Sequence, residues 1–259
     1  MGSGEINLSI PPNQFSIDSV PTVVEPRFFD GNDPDLPRIT FENPHTGEKT
    51  PEQSAVVKNF CFNGTALLTP AAFDKKCGAL NIDTISRANL SGPLLILDLE
   101  AGVAYDREKM KELLDRRDIR LKYPEPEFIV LFRTQLMKRV LEVTDEKGVP
   151  DYGKLAAVQQ NRPGLTREGA VELQSRGFAK VFMVDNISFE VNGAKGFHAT
   201  QELAAPDAET GKFTPLVYHV GKTEADNFTE ENNGKNVSIE LGNPPRKGLT
   251  GYPVGVYVK

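Results

Sequence analysis

Regular hydrophobic patterning begins near residue 90, in three continuous apolar runs. Leu94-Leu95-Ile96-Leu97-Asp98-Leu99, behind Gly92-Pro93, predicts a strand buried on both faces. Phe128-Ile129-Val130-Leu131-Phe132, bounded by Pro124 and Pro126, predicts a second, and Lys180-Val181-Phe182-Met183-Val184-Asp185 a third. Between them the period changes. Met110, Leu113 and Leu114 stand at i, i+3 and i+4, which predicts a helix from an Asp106 N-cap through Arg117. Leu136, Val140 and Val143 predict a helix over residues 135–143. Thr166 is placed to cap a helix over Arg167–Arg176, with Gly177 as its C′ residue. Strand, helix, strand, helix, strand is the rhythm of an α/β domain.

The two ends read differently. Residues 1–60 are rich in Pro, Asn and Asp, and Pro11-Pro12, Pro21, Pro26, Pro34, Pro37 and Pro44 forbid long helices there. Short extended pieces are expected at Thr22–Glu25 and Arg38–Phe41, and a turn at Asn43-Pro44-His45-Thr46-Gly47. Residues 207–236 are polar and turn-rich around a strand at Val217–Val220. Val237-Ser238-Ile239-Glu240-Leu241 alternates like a half-exposed strand, and Tyr252–Val258 closes the chain as another. There is no internal repeat and no low-complexity linker, so residues 1–259 read as one domain that includes the Pro-rich extended region 1–60.

Composition narrows the class. The 259 residues are 39% hydrophobic and 25% charged, as in a soluble globular protein. A formal charge of -6 argues against non-specific nucleic-acid binding, which needs a basic excess. No apolar run approaches the roughly 20 residues that span a bilayer. No secretory signal is evident, and Ile6 breaks a myristoylation pattern beginning at Gly2, so a cytoplasmic location without membrane contact is expected. Cys61 and Cys77 read as free thiols in a reducing compartment. His45, His198 and His219 form no H-x-x-x-H or H-x-H pair, which argues against a zinc site built from imidazole.

Candidate chemistry centres on Phe62-Asn63-Gly64-Thr65-Ala66-Leu67-Leu68-Thr69-Pro70-Ala71-Ala72-Phe73. This stretch resembles the H-T-G-T-H-x-D-x-P-x-H-F motif of the metal-dependent cyclase family, which includes kynurenine formamidase and isatin hydrolase. Gly64, Thr65, Pro70 and Phe73 keep the motif's spacing. Further short segments resemble the family in order: Ile6-Asn7-Leu8-Ser9 its I-D-L-S opening, Ile129–Gln135 its V-L-I-R-T-G, Arg162–Glu168 its P-G-L-S-x-E, Val184–Ser188 its I-D-T-x-S, and Gly251–Gly255 its G-S-P-V-R. The resemblance implies an α/β fold around a mixed, barrel-like sheet with surrounding helices, and a homodimer or larger homo-oligomer.

The departures bear on function. Phe62, Ala66, Leu68 and Ala72 stand where the motif has three histidines and an aspartate, and none of these side chains has a lone pair for a cation. The family's F-P-x-H-x-x-L-L, set on Phe197–Leu203, puts Thr200 at the histidine, with His198 two residues early. The late glutamate of E-N-L has no counterpart among Glu224, Glu230 and Glu231, and the terminal arginine position is Gly255. No metal or other cofactor is therefore expected. A pocket lined by Phe62, Ala66, Leu68 and Ala72, with Thr65 and Thr69 beside them, suits a hydrophobic small molecule. Asn63, His198 and Thr200 are the candidate catalytic groups, acting as neutral donors to a carbonyl.

Three function classes follow. The leading expectation is a metal-independent enzyme that folds a hydrophobic substrate for cyclisation, pericyclic reaction, isomerisation or dehydration. The second is a non-catalytic ligand-binding or scaffold protein. The third is an amide or lactam hydrolase with its metal relocated to Asp74, Asp83 or Glu202. A Cys61 nucleophile activated by His198 or His219 has no supporting motif, and neither G-x-S-x-G nor a phosphate-binding glycine loop occurs.

Overall fold

The three apolar runs lie side by side as parallel strands, as their two-sided hydrophobicity demands. The computed structural model describes residues 6–7, 23–28, 40–42, 49–51, 53–58, 65–116, 127–145, 151–186, 188–220, 228–241 and 251–259. In chain order the strands are β1 (Ile6–Asn7), β2 (Val23–Phe28), β3 (Thr40–Glu42), β4 (Lys49–Pro51), β5 (Gln53–Lys58), β6 (Ala66–Leu68) and β7 (Ser91–Asp98). There follow β8 (Ala104–Tyr105), β9 (Phe128–Arg133), β10 (Gly164–Leu165), β11 (Ala179–Val184), β12 (Leu216–Tyr218), β13 (Asn236–Leu241) and β14 (Gly251–Val258). The helices are α1 (Arg107–Arg116), α2 (Leu136–Leu141), α3 (Tyr152–Gln160), α4 (Arg167–Ser175) and α5 (His198–Ala204).

β7, β9, β11 and β12 pair in parallel, with Leu94 opposite Ile129 and Phe182 opposite Leu216. β6, β14 and β13 return antiparallel, and β13 pairs with β7, so the ring closes as a mixed barrel. β1 adds to the outer end of β14. Inward residues such as Leu67, Ile96, Leu131, Met183, Val217 and Val256 form one buried cluster. Branched side chains fill a barrel this small completely. Outward residues Leu97, Val130, Phe132 and Phe182 form a second cluster with Met110 and Leu114 of α1, Leu173 of α4, and Ala199 and Leu203 of α5. Helices covering the parallel strands explain why those runs lack alternation, whereas β13 and β14 alternate buried and partly exposed positions.

Most predicted elements are present. Asp106 accepts the Lys109 amide at 3.0 Å and Thr166 the Gly169 amide at 3.3 Å, so both caps form. Gly177 takes the left-handed conformation at φ 63° that a C′ residue needs. The helix predicted over 135–143 is shorter, because Gln135 stands at φ 53° and the turn begins only at Leu136. α3 and α5 have no clear stripe in the sequence. α3 offers only Leu155 and Val158 to a small satellite cluster with Leu136 and Val140. α5 has seven residues and buries mostly small ones. The short extended pieces appear as β2 and β3, while the turn at 43–47 and Cys61 lie outside the described residues. Cys77 is free and partly exposed. Among the described residues, no helix is long and apolar enough to cross a membrane.

Two glycines let α4 and its preceding strand seat closely. A Cβ on Gly169 would meet the Tyr105 carbonyl oxygen at 2.1 Å, and one on Gly164 the Glu190 oxygen at 2.2 Å. Both neighbours are backbone and cannot swing aside. Gly169→Ala is therefore expected to lower unfolding free energy by about 1–3 kcal/mol or more despite the better helix propensity of alanine. Urea unfolding measures it, and an unchanged or raised midpoint would refute the close approach.

Candidate active site

β6 sets the site. Strand alternation turns Leu67 into the barrel and Ala66 and Leu68 outward, and Leu68 joins the cluster beneath the helices. Thr69 follows, fully buried, and a short 3-10 turn at Pro70–Ala72 lays Ala72 and Phe73 against the same cluster. α5 covers this group from outside. Gln201 donates from Nε2 to the Phe73 carbonyl at 3.0 Å, tying the turn to the helix. Thr200 is fully buried, and its Oγ1 lies 3.2 Å from the hydroxyl of Tyr218 on β12. The Tyr218 ring meets Phe189 edge-on at 5.1 Å between centroids and Phe73 at 6.3 Å.

Glu190 holds α5 in place. Its carboxylate is buried and accepts the amides of Thr200 at 2.8 Å and Ala199 at 3.2 Å. The helix has no capping side chain of its own at Phe197, so Glu190 satisfies two of its orphan donors from another segment. Glu190 is fixed in turn. Its amide donates to Ser188 Oγ at 3.0 Å, and its backbone bridges Leu165 in parallel against Gly164.

A second polar layer lies at the C-terminal ends of β9, β11 and β12. Asp185 is buried and accepts the Thr134 amide at 2.8 Å, the Thr134 hydroxyl at 2.7 Å and the Gln135 amide at 2.9 Å. Thr65 donates from Oγ1 to the His219 carbonyl at 2.6 Å, and the His219 amide donates to the Asn186 carbonyl at 3.1 Å. Gln135 and His219 both hold positive φ, 53° and 57°. Each such residue costs on the order of 1–3 kcal/mol and persists only where its surroundings dictate it. The Arg133 guanidinium pairs with Asp98, with Nη2 to Oδ2 at 3.0 Å, and donates from Nη1 to the Phe228 carbonyl. Burial lowers the pKa of Arg139 from its ordinary value, against the opposing pull of Asp185 and Glu142.

The structure gathers some of the predicted site residues and not others. Leu68 and Ala72 meet in the apolar cluster that holds Tyr218, the hydroxyl partner of Thr200, while Thr65, Ala66 and Thr69 are buried on the same stretch of chain. Ala66, Leu68, Thr69 and Thr200 are sealed by protein atoms on every side. His198 is exposed at the first position of α5, its ring turned over Gly196. At 100° per residue, positions two apart on a helix face nearly opposite ways, so His198 points to solvent while Thr200 points to the core. Phe62 and Asn63 lie outside the described residues. Sequence reasoning missed Tyr218, Glu190 and Phe197. Alternation in Leu216-Val217-Tyr218 was a usable signal, since it puts Tyr218 on the helix-covered face; nothing in the sequence connects Glu190 to α5.

The divalent cation that the motif resemblance implies does not fit the residues present. Ala66, Leu68 and Ala72 offer carbon where donors are needed. The proposed replacements do not assemble: Asp74 and Asp83 are exposed, and Glu202 is bonded to Arg167 Nε at 2.7 Å. Among the described residues, no group of three or more His, Cys, Asp and Glu side chains is arranged to hold a metal.

A family model described as "Putative cyclase" matches residues 8–191. No curated protein matches the chain. Among solved structures, isatin hydrolase A from Labrenzia aggregata, bound to benzyl benzoate, is similar at TM-score 0.59 and 16% identity, covering 98% of this chain and 93% of that one. Isatin hydrolase A from Ralstonia solanacearum is similar at TM-score 0.56 and 16% identity, covering 98% and 91%. A predicted metal-dependent hydrolase from Bacillus stearothermophilus is similar at TM-score 0.52 and 13% identity, covering 98% and 97%.

Glu190→Gln tests the cap. Glutamine keeps one acceptor oxygen and replaces the other with a donor, so one of the two α5 amides loses its partner. The expected cost is about 1–3 kcal/mol of stability, with faster hydrogen exchange at the Ala199 or Thr200 amide. Unchanged exchange at both amides would remove Glu190 from this role.

Proposed function

The chain belongs to the Cyclase family, and on that premise we propose that it is a metal-independent enzyme of small-molecule biosynthesis, shaping a hydrophobic substrate for cyclisation, pericyclic reaction, isomerisation or dehydration. One observation carries the reading. The motif positions where the resemblance implies donors hold Ala66, Leu68 and Ala72, and the apolar cluster that Leu68 and Ala72 join also holds Tyr218, whose hydroxyl meets that of Thr200. Such a surface binds apolar groups and aligns one polar atom. Holding a flexible substrate as a reactive conformer removes several kcal/mol from a unimolecular barrier without a cation. A neutral donor directed at an oxygen that gains charge in the transition state adds to this in a dry site. Thr200 is a predicted donor buried beside Tyr218 in the helix-covered layer, and His198, exposed on the other side of α5, would serve only after α5 turned.

The complete enclosure of Ala66, Leu68, Thr69 and Thr200 favours a second reading, in which these positions have joined the core and the protein is a non-catalytic scaffold. Incubation of the purified protein with extract of its source cells, followed by mass spectrometry, separates the two. Consumption of a compound that Thr200→Val abolishes supports an enzyme, and no consumption supports the scaffold.

Metal independence has its own test. Purified protein is expected to carry only sub-stoichiometric zinc and manganese, and its thermal midpoint to be unmoved by a chelator or by either ion added back. A stoichiometric ion whose removal lowers the midpoint would sink the reading.

A further inference from the structure

We propose that Asn192 is a modification site, at which the chain deamidates itself through a cyclic imide with Gly193, and that Asn233, in a turn of the same geometry, is held back from this reaction by its bonds to β7.

Both Asn-Gly pairs occupy the centre of a four-residue turn. Ala194 donates its amide to the Val191 carbonyl at 3.1 Å, and Lys235 donates its amide to the Asn232 carbonyl at 3.2 Å. Gly193 and Gly234 stand third in these turns at φ 80° and 85°, the left-handed position that a type II turn reserves for glycine. Local sequence and backbone therefore match, and the neighbours differ. Asn63-Gly64, another such pair, lies outside the described residues.

The reaction joins two atoms. The glycine backbone nitrogen attacks the carbonyl carbon of the asparagine side chain, its proton leaves with Nδ2 as ammonia, and a five-membered imide closes. Water then opens the imide at either carbonyl, leaving aspartate or, with the backbone rerouted through the side chain, isoaspartate. Amide and water become acid and ammonia, and no oxidant or cofactor takes part.

At the second turn both groups are committed. The Gly234 amide donates to the Leu94 carbonyl at 2.8 Å, and Asn233 Oδ1 accepts the Ile96 amide at 2.8 Å. The Leu94 amide donates to the Lys235 carbonyl at 2.8 Å, so the turn is bonded along β7. At the first turn the Gly193 amide donates to no described residue, and residues 192–197 are all exposed. The Asn192 side chain is steadied by a bond from Nδ2 to the carbonyl of Gln160, the last residue of α3, at 2.9 Å. An exposed bond of this kind restrains little, because water replaces it at small cost. Deamidation removes that donor and sets an oxygen against the Gln160 carbonyl. The modification thus unpins from α3 the segment that leads into α5.

Heavy-oxygen water tests the proposal, since hydrolysis of the imide leaves one labelled oxygen on the product. The full chain is incubated in mildly alkaline labelled water, digested, and its peptides read by mass spectrometry. Asn192 is expected to take up label about tenfold faster than Asn233, because two bonds must break together before the second ring can close. In urea that unfolds the chain, the two sites should react at like rates. Equal rates at the two folded sites, or no label at folded Asn192, overturns the proposal. The unpinning is read separately by trypsin, which cuts after Lys195 in the exposed segment. Asn192→Asp, which fixes the aspartate product, should be cut there severalfold faster than the wild-type chain. An unchanged rate overturns the unpinning and leaves the modification site standing.

Discussion

β6 is three residues long and has a hydrogen-bonded strand on each side, β12 and β14. That double pairing closes the barrel, and it leaves each β6 residue one possible direction. Leu67 fills the interior; Leu68 looks out into the cluster shared with α5, and alternation turns Ala66 the same way. A one-residue slip would exchange the two sets and bury the motif in the wrong cluster. The start of β6 is tied on both sides, by the Thr65 hydroxyl to His219 and by the Val254 amide to the Thr65 carbonyl. This placement sets Leu68 and the following Ala72 against the helix-covered apolar layer.

Two buried carboxylates make the surroundings stiff rather than reactive. Asp185 spends its oxygens on the turn after β9, and Glu190 spends its own on the start of α5. Each is an acceptor matched to backbone donors that the end of a strand or the start of a helix leaves open. The positive-φ conformations of Gln135 and His219 are maintained by the same bonds, Asp185 taking the Gln135 amide and the Asn186 carbonyl the His219 amide. Both carboxylates are thus engaged by backbone amides, and Asp185 also by the Thr134 hydroxyl.

This division of labour suits chemistry that depends on conformation and a neutral hydrogen bond. It also explains how a family scaffold tolerates Ala66, Leu68 and Ala72. The barrel interior and the backbone-directed carboxylates do not pass through these positions, while Leu68 and Ala72 add carbon to the apolar layer under the helices.

Much of the architecture was legible along the chain. The apolar runs at 94–99, 128–132 and 180–185, the Asp106 and Thr166 caps and the Gly177 stop are local signals, and their elements formed where expected. The identity of the residues at the motif positions, Ala66, Leu68 and Ala72, is likewise read directly from the chain, since side-chain chemistry is a property of the residue alone. Elements too short or too small-residued to carry a period, such as β6 and α5, were not legible. Nor was the meeting of Thr200 with Tyr218 and Glu190, or the parting of His198 from Thr200. Residue types are written in the chain, but which of them meet depends on strand register and helix rotation. Those are set by packing across the barrel between segments far apart in sequence, and only the folded structure decides them.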